Sequence, residues 1–283
     1  MIIKRHTLGC DNLFDVRDVE RRIGSIPDWY NFEPNDFHYM QFSANILASL
    51  HKVGDVFHTF CNARAALLFA FQNTYGSFVK GDNQSGLIFM RSQLLLNSLV
   101  LYNILIDLSW QVLWLRFEQE EIELISDKKK YDHSLNDCNF INLQYRLTLA
   151  REFKIRDYVK ARFESQLWME IRKKYNYYKH RGSFFIPGLG ENRGKLMFSI
   201  NGQQPKCFNR QEFEFEQWSE KLIEFNNQFL EYFQNIIVFI IPSNYNSPIG
   251  AKELIKYCKL LEEAKSRITC NPKILTNNDI YNK

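Results

Sequence analysis

Arg172, Asn176 and His180 recur at intervals of four in the segment WMEIRKKYNYYKHRG, from Trp168 to Gly182. On a helix they fan over about 80° of one face and span about 12 Å. An imidazole moves a proton near neutral pH, and a guanidinium holds a phosphate and offsets charge developing on it. Attack of an RNA 2′-hydroxyl on its own phosphate needs little beyond those functions and no metal. Arg181 follows His180 directly, and Lys173, Lys174 and Lys179 add cations. Tyr175, Tyr177, Tyr178, Phe184 and Phe185 offer rings on which unpaired bases stack. The same run also suits an ordinary helix end, because last-turn cations match the helix dipole and Gly182 suits the left-handed position beyond.

The surroundings of this segment are basic. Between Arg146 and Arg181 there are eleven Lys/Arg and four Asp/Glu, a local +7 in a chain of net charge +4. The remainder therefore sums to −3. A local surplus of this kind is the footprint of a polyanion-binding face, and equally of a solvated helix face. Asp107, charged within an otherwise apolar stretch, needs a partner. It is placed to orient His180, to pair with Arg172, or to form a purely structural ion pair. Asn103, Asp107, Gln111 and Glu118 share one face of their helix. Glu118, Glu120, Glu121 and Glu123 form an acidic patch that opposes the helix dipole, so the helix frays there or the patch has a partner.

Little else in the chain carries chemistry. His51 and His58 with Asp55 are too few for a zinc site, and no metal or cofactor is expected. The glycines at 188, 190 and 194 fit a turn better than a nucleotide loop. Six widely spaced cysteines show no CxxC pairing and read as buried, reduced thiols of a cytoplasmic protein. The stretch from Leu94 to Phe117 is long enough to span a membrane but holds Asn97, Asn103, Asp107, Gln111 and Arg116. It reads as a buried core helix, with no membrane as partner.

The elements that would position these residues are helical. Residues 1–35 are irregular, and Asp36 is placed to cap a helical region over 37–79, bent near Gly54 and ending near Gly76. A second long helix covers 87–125. Shorter helices occupy 138–155 and 158–181, a long one 210–240 and a terminal one 248–268, before a polar tail over 271–283. The segment 183–209, with the turn Asn201-Gly202, reads as a small β-hairpin insertion. The class is all-α: a bundle of long antiparallel helices with one hairpin.

The run from Tyr175 to Gly182, with apolar helices on either side, resembles the signature helix of the HEPN superfamily. In that superfamily an Arg, four to six residues and a His form the motif, often with Asn just after the Arg. The resemblance covers 87–241 and leaves 36–80 as an added helical layer. It implies a homodimer in which two motifs meet to form one composite, metal-independent RNase site. The setting it implies is toxin or phage-defence, with RNA as substrate and an antitoxin or regulatory protein as a further partner. Carried over by position, His180 is the motif histidine and Asn176 the motif polar residue. This chain has Tyr175 where the motif Arg stands, and the nearest upstream candidate, Arg172, lies seven intervening residues from His180. Arg172 or Arg181 is then the phosphate-holding cation, Asp107 a supporting residue, and Lys173, Lys174, Tyr175, Tyr178 and Lys179 the RNA-binding set. A non-catalytic HEPN-like interaction or nucleic-acid-binding module is the alternative, with the fold kept and the Arg lost.

Overall fold

The computed structural model describes residues 15–77, 79, 83–119, 121–190, 199, 201–203, 210–247 and 250–270. Its eleven α-helices among these residues are α1 Val16–Ile23, α2 His38–Gln41, α3 Ala44–Phe69, α4 Gln84–Arg116, α5 Glu123–Ser126, α6 Lys128–Asn136, α7 Phe140–Leu149, α8 Phe153–Phe163, α9 Gln166–Arg181, α10 Phe215–Ile240 and α11 Ala251–Cys270. A 3₁₀ turn, Trp29–Phe32, lies between α1 and α2. The protein is all-α.

The frame is an antiparallel pair. Asn45 Nδ2 donates to the Arg116 carbonyl (2.9 Å), Ser49 Oγ to that of Val112 (2.8 Å) and Ser98 Oγ to that of Ala63 (2.9 Å). Each step forward along α3 is matched by an equal step back along α4, so these bonds fix both direction and register. Residues 36–80, set apart in the sequence as an added layer, therefore contribute α3 to the same core as α4 and α10. In α3, Leu50, Val53, Val56, Phe60, Ala63 and Leu67 are fully buried. α4 is long and apolar enough to cross a membrane, but its apolar face is spent here: Leu95, Leu99, Tyr102, Leu105, Ile106 and Leu113 are buried by neighbouring helices.

α10 closes the core with aromatic rings. Phe225, Phe229, Tyr232 and Phe233 lie at the helical spacing of one face and are fully buried. Trp29 stands edge-on to Phe233 (4.7 Å) and Trp168 of α9 edge-on to Tyr232 (4.9 Å). The two fully buried tyrosine hydroxyls of this core find partners: Tyr102 donates to Asn226 (3.1 Å), and Tyr232 and Ser109 bond each other (3.3 Å).

Several boundaries differ from the sequence reading. The predicted helix over 37–79 breaks after Gln41, where Phe42 and Ser43 are extended, and ends at Phe69. Gly54 does not interrupt it. Asn35, not Asp36, bonds the first amides, those of Phe37 and His38, while Asp36 accepts from the Tyr257 hydroxyl. The predicted helix over 87–125 ends at Arg116, with α5 a separate turn. Two predicted helices over 138–181 are three, separated at Arg151 (φ 63°) and Ser165. Cys61 and Cys138 are half-buried free thiols and Cys258 is exposed, where buried thiols were expected. Asn201 (φ 51°) and Gly202 (φ 79°) both have positive φ. The strands predicted on either side of them lie outside the described residues.

Gly54 gives a direct test of α3. A Cβ there would meet Glu33 at 3.8 Å, an ordinary contact. Gly54→Ala removes backbone entropy from the unfolded chain without a clash and is expected to stabilise the protein by about 0.5–1 kcal/mol in urea unfolding.

Candidate nucleic-acid interface

α9 begins after Ser165 and ends at Gly182, whose φ of 88° and amide bond to the Tyr178 carbonyl (3.0 Å) terminate it. Its buried edge carries Trp168 and Ile171, both fully inside the core. That docking fixes what the rest of the helix presents. Lys173, Asn176, Lys179, His180 and Arg181 are all exposed. Met169, on the same face, is 52% exposed. No hydrogen bond, ion pair or ring contact ties Asn176, Lys179, His180 or Arg181 to another side chain among the described residues.

Arg172 sits at the edge of this face and is engaged. Its Nη1 donates to Asp107 Oδ1 at 2.9 Å, and the guanidinium lies over Trp110 (5.0 Å) and Phe163 (5.6 Å). Of the roles open to Asp107, pairing with Arg172 is the one realised. The polar stripe of α4 is thus the face on which α7 and α9 dock, with Asp107 serving α9 and Glu118 serving α7.

The other expected RNA ligands divide. Lys174 turns away from the exposed face and donates to the Glu212 carbonyl (2.9 Å), over the rings of Phe184 (4.7 Å) and Trp218 (5.3 Å). Burial lowers its pKa, helped by the nearby Lys221 and Lys173 charges. Tyr175 and Tyr178 are half-buried against the core, and Tyr177 and Tyr178 both stack on Phe184. Tyr177 Oη accepts the Gln211 amide (3.0 Å). The segment 184–186 is held beside 211–213 by a parallel bridge, Phe185 to Glu212. Lys174 and the tyrosines therefore brace α9 against this segment, while Lys173, Lys179 and Arg181 remain toward solvent.

The basic surplus of 146–181 is partly cancelled by other helices. Glu118 takes Arg146 (2.6 Å), Glu231 takes Arg162 (3.8 Å) and Asp107 takes Arg172. Arg146 also stacks on Trp114, 3.2 Å from the ring centroid, and donates to the Trp114 carbonyl. Arg146 is the partner that Glu118, in the acidic patch after α4, lacked in the sequence. Burial pushes the Glu118 carboxyl up, but hydrogen bonds from Ser134 and Arg146 outweigh it and hold its pKa below the usual glutamate range. A depressed folded pKa means stability present above the unfolded value and lost as pH falls through the folded one. Glu118→Gln is expected to flatten the acid limb of stability against pH, read by urea unfolding from neutral pH down to the acid transition. An unchanged acid limb would mean that the pair contributes nothing.

Among the described residues, no group of three or more His, Cys, Asp or Glu is placed to hold a metal. The chain matches no protein-family model, no curated protein and no solved structure.

Proposed function

We propose that the exposed edge of α9 binds RNA and that the protein, as a homodimer, cleaves it without a metal. The observation that carries this reading is the set Lys173, Asn176, Lys179, His180 and Arg181. These cationic, amide and imidazole groups lie together on one helix and are exposed rather than consumed by the fold. His180 acts as general acid and base on the 2′-hydroxyl and the leaving oxygen, and Asn176 positions the backbone. Arg181 holds the phosphate, since Arg172 is occupied by Asp107. The setting, a cytoplasmic toxin or phage-defence system with an antitoxin or regulatory partner, comes from the HEPN resemblance alone.

One observation favours the alternative, a non-catalytic RNA-binding or interaction module. The only Arg on the Arg172–Asn176–His180 stripe is neutralised by Asp107, which weakens a metal-free nuclease. The deciding test is RNA cleavage in excess EDTA by the wild type beside His180→Ala. Cleavage that disappears in a folded His180→Ala variant is the expected result. Binding without cleavage by the wild type would leave the module, and neither binding nor cleavage would remove both readings.

A further inference from the structure

α7 carries an apolar stripe that no described element covers. Ile141 is 77% exposed, Tyr145 66% and Leu149 66%, at successive intervals of four, and Phe153 at the start of α8 is 48% exposed. Residues four apart on a helix are neighbours. The three α7 side chains make a contiguous patch of a few hundred Å², the size at which an exposed apolar surface marks a protein–protein site. The opposite edge of α7, Leu143 and Leu147, is fully buried against the core, so the stripe cannot turn inward. Arg146, the charge within α7, also points inward, to Glu118 and Trp114.

The ends of the stripe are charged with opposite sign. Asp137, just before the helix, and Arg151 and Lys154, just after it, are exposed. No ion pair joins these three to another group among the described residues. Tyr145 lies near the midpoint, eight residues from Asp137 and six from Arg151. Such a strip is complementary to itself when turned end for end. In a two-fold interface each contact occurs twice, with residue i on j and j on i.

We infer that α7 is a homodimer interface, with the α7 helices of two copies packed antiparallel about Tyr145. The two Tyr145 rings meet at the axis, Ile141 of each copy covers Leu149 of the other, and Asp137 of each faces Arg151 and Lys154 of the other. Apolar burial supplies the affinity, and the terminal charges set direction, because a parallel pairing would bring like charges together. The inference rests on the α7 surface alone and not on the RNA reading.

The test is sedimentation equilibrium of the full chain, with circular dichroism as the check on folding. The wild type is expected to be a dimer. Tyr145→Glu puts two carboxylates at the axis and is expected to weaken dimerisation about 100-fold. Asp137→Arg and Arg151→Asp are each expected to weaken it about tenfold, because every reversal acts twice. Asp tolerates the left-handed backbone at 151, so this variant adds no strain. The double variant Asp137→Arg/Arg151→Asp restores the pairing, which no merely structural effect of either change would do. A monomeric wild type, a dimer indifferent to Tyr145→Glu, or a double variant no tighter than the singles overturns the inference. In the second case a dimer through α9 still stands, and RNA cleavage by His180 is judged by its own experiment.

Discussion

Phe229→Ala is expected to destabilise the protein by about 3–5 kcal/mol, the range for removing a fully buried aromatic ring. The ring has no exposure, and six aromatic rings lie around it: Trp29 (6.3 Å), Phe60 (5.8 Å), Trp168 (6.0 Å), Phe225 (5.9 Å), Tyr232 (6.0 Å) and Phe233 (5.7 Å). Those neighbours come from the N-terminal turn, α3, α9 and α10. Collapse of one element into the void would pull it off the others, so little relaxation is available to offset the loss. The measurement is urea unfolding, with the exposed Phe89→Ala as a control expected to change stability by no more than about 0.5 kcal/mol. A loss below about 1 kcal/mol for Phe229→Ala would mean that these elements do not share one rigid core.

The consequence reaches the interface. Trp168, which anchors α9, stacks on Phe229, and the exposed edge of α9 is set by how Trp168 and Ile171 dock. Phe229→Ala should therefore weaken RNA binding indirectly under conditions where the chain is still mostly folded, even though Phe229 touches none of Lys173, His180 or Arg181.

Much of this arrangement was legible in the sequence, and the reasons differ from element to element. α4 announces itself by a long, nearly continuous apolar stretch and α10 by apolar residues at helical period over many turns. The end of α9 was legible because Gly182 has a specific backbone role. The breaks at Ser43, Arg151 and Ser165 were not. Ser43 and Ser165 are residue types that begin helices, a signal open to sequence reading, but Arg151 is an exposed arginine in a left-handed backbone that its residue type does not announce. The commitment of Lys174 depends on a segment 38 residues away meeting α9, which no local pattern encodes. The pairing of Asp107 with Arg172 was one of three readings of that carboxylate, and geometry alone could choose among them. The uncovered stripe of α7 depends on which side of the helix the core takes: Leu143 and Leu147 occupy the buried side and leave Ile141, Tyr145 and Leu149 outside.

Arg181→Ala is expected to lower RNA cleavage by about a hundred- to a thousand-fold, the cost of removing a group aimed at developing charge. Arg172→Ala is expected to lower it by less than about tenfold. The contrast follows from how the two guanidiniums are held. Arg172 is fixed between Asp107 and two aromatic faces, so its charge is spent on the fold; its loss should cost about 1–2 kcal/mol of stability. Arg181 is exposed in the last turn, where its removal costs folding only about 0.3–1 kcal/mol through the helix dipole. Activity and stability should thus separate in opposite directions, read by single-turnover cleavage in EDTA beside urea unfolding of both variants. The reverse order, a silent Arg181 and a severe Arg172, would mean that bound RNA draws Arg172 away from Asp107. Asp107 would then be a latch on the phosphate-holding cation, and Asp107→Asn should raise RNA affinity by releasing it. An equal and small effect of both arginines, with binding retained, would favour the module that holds RNA without cutting it.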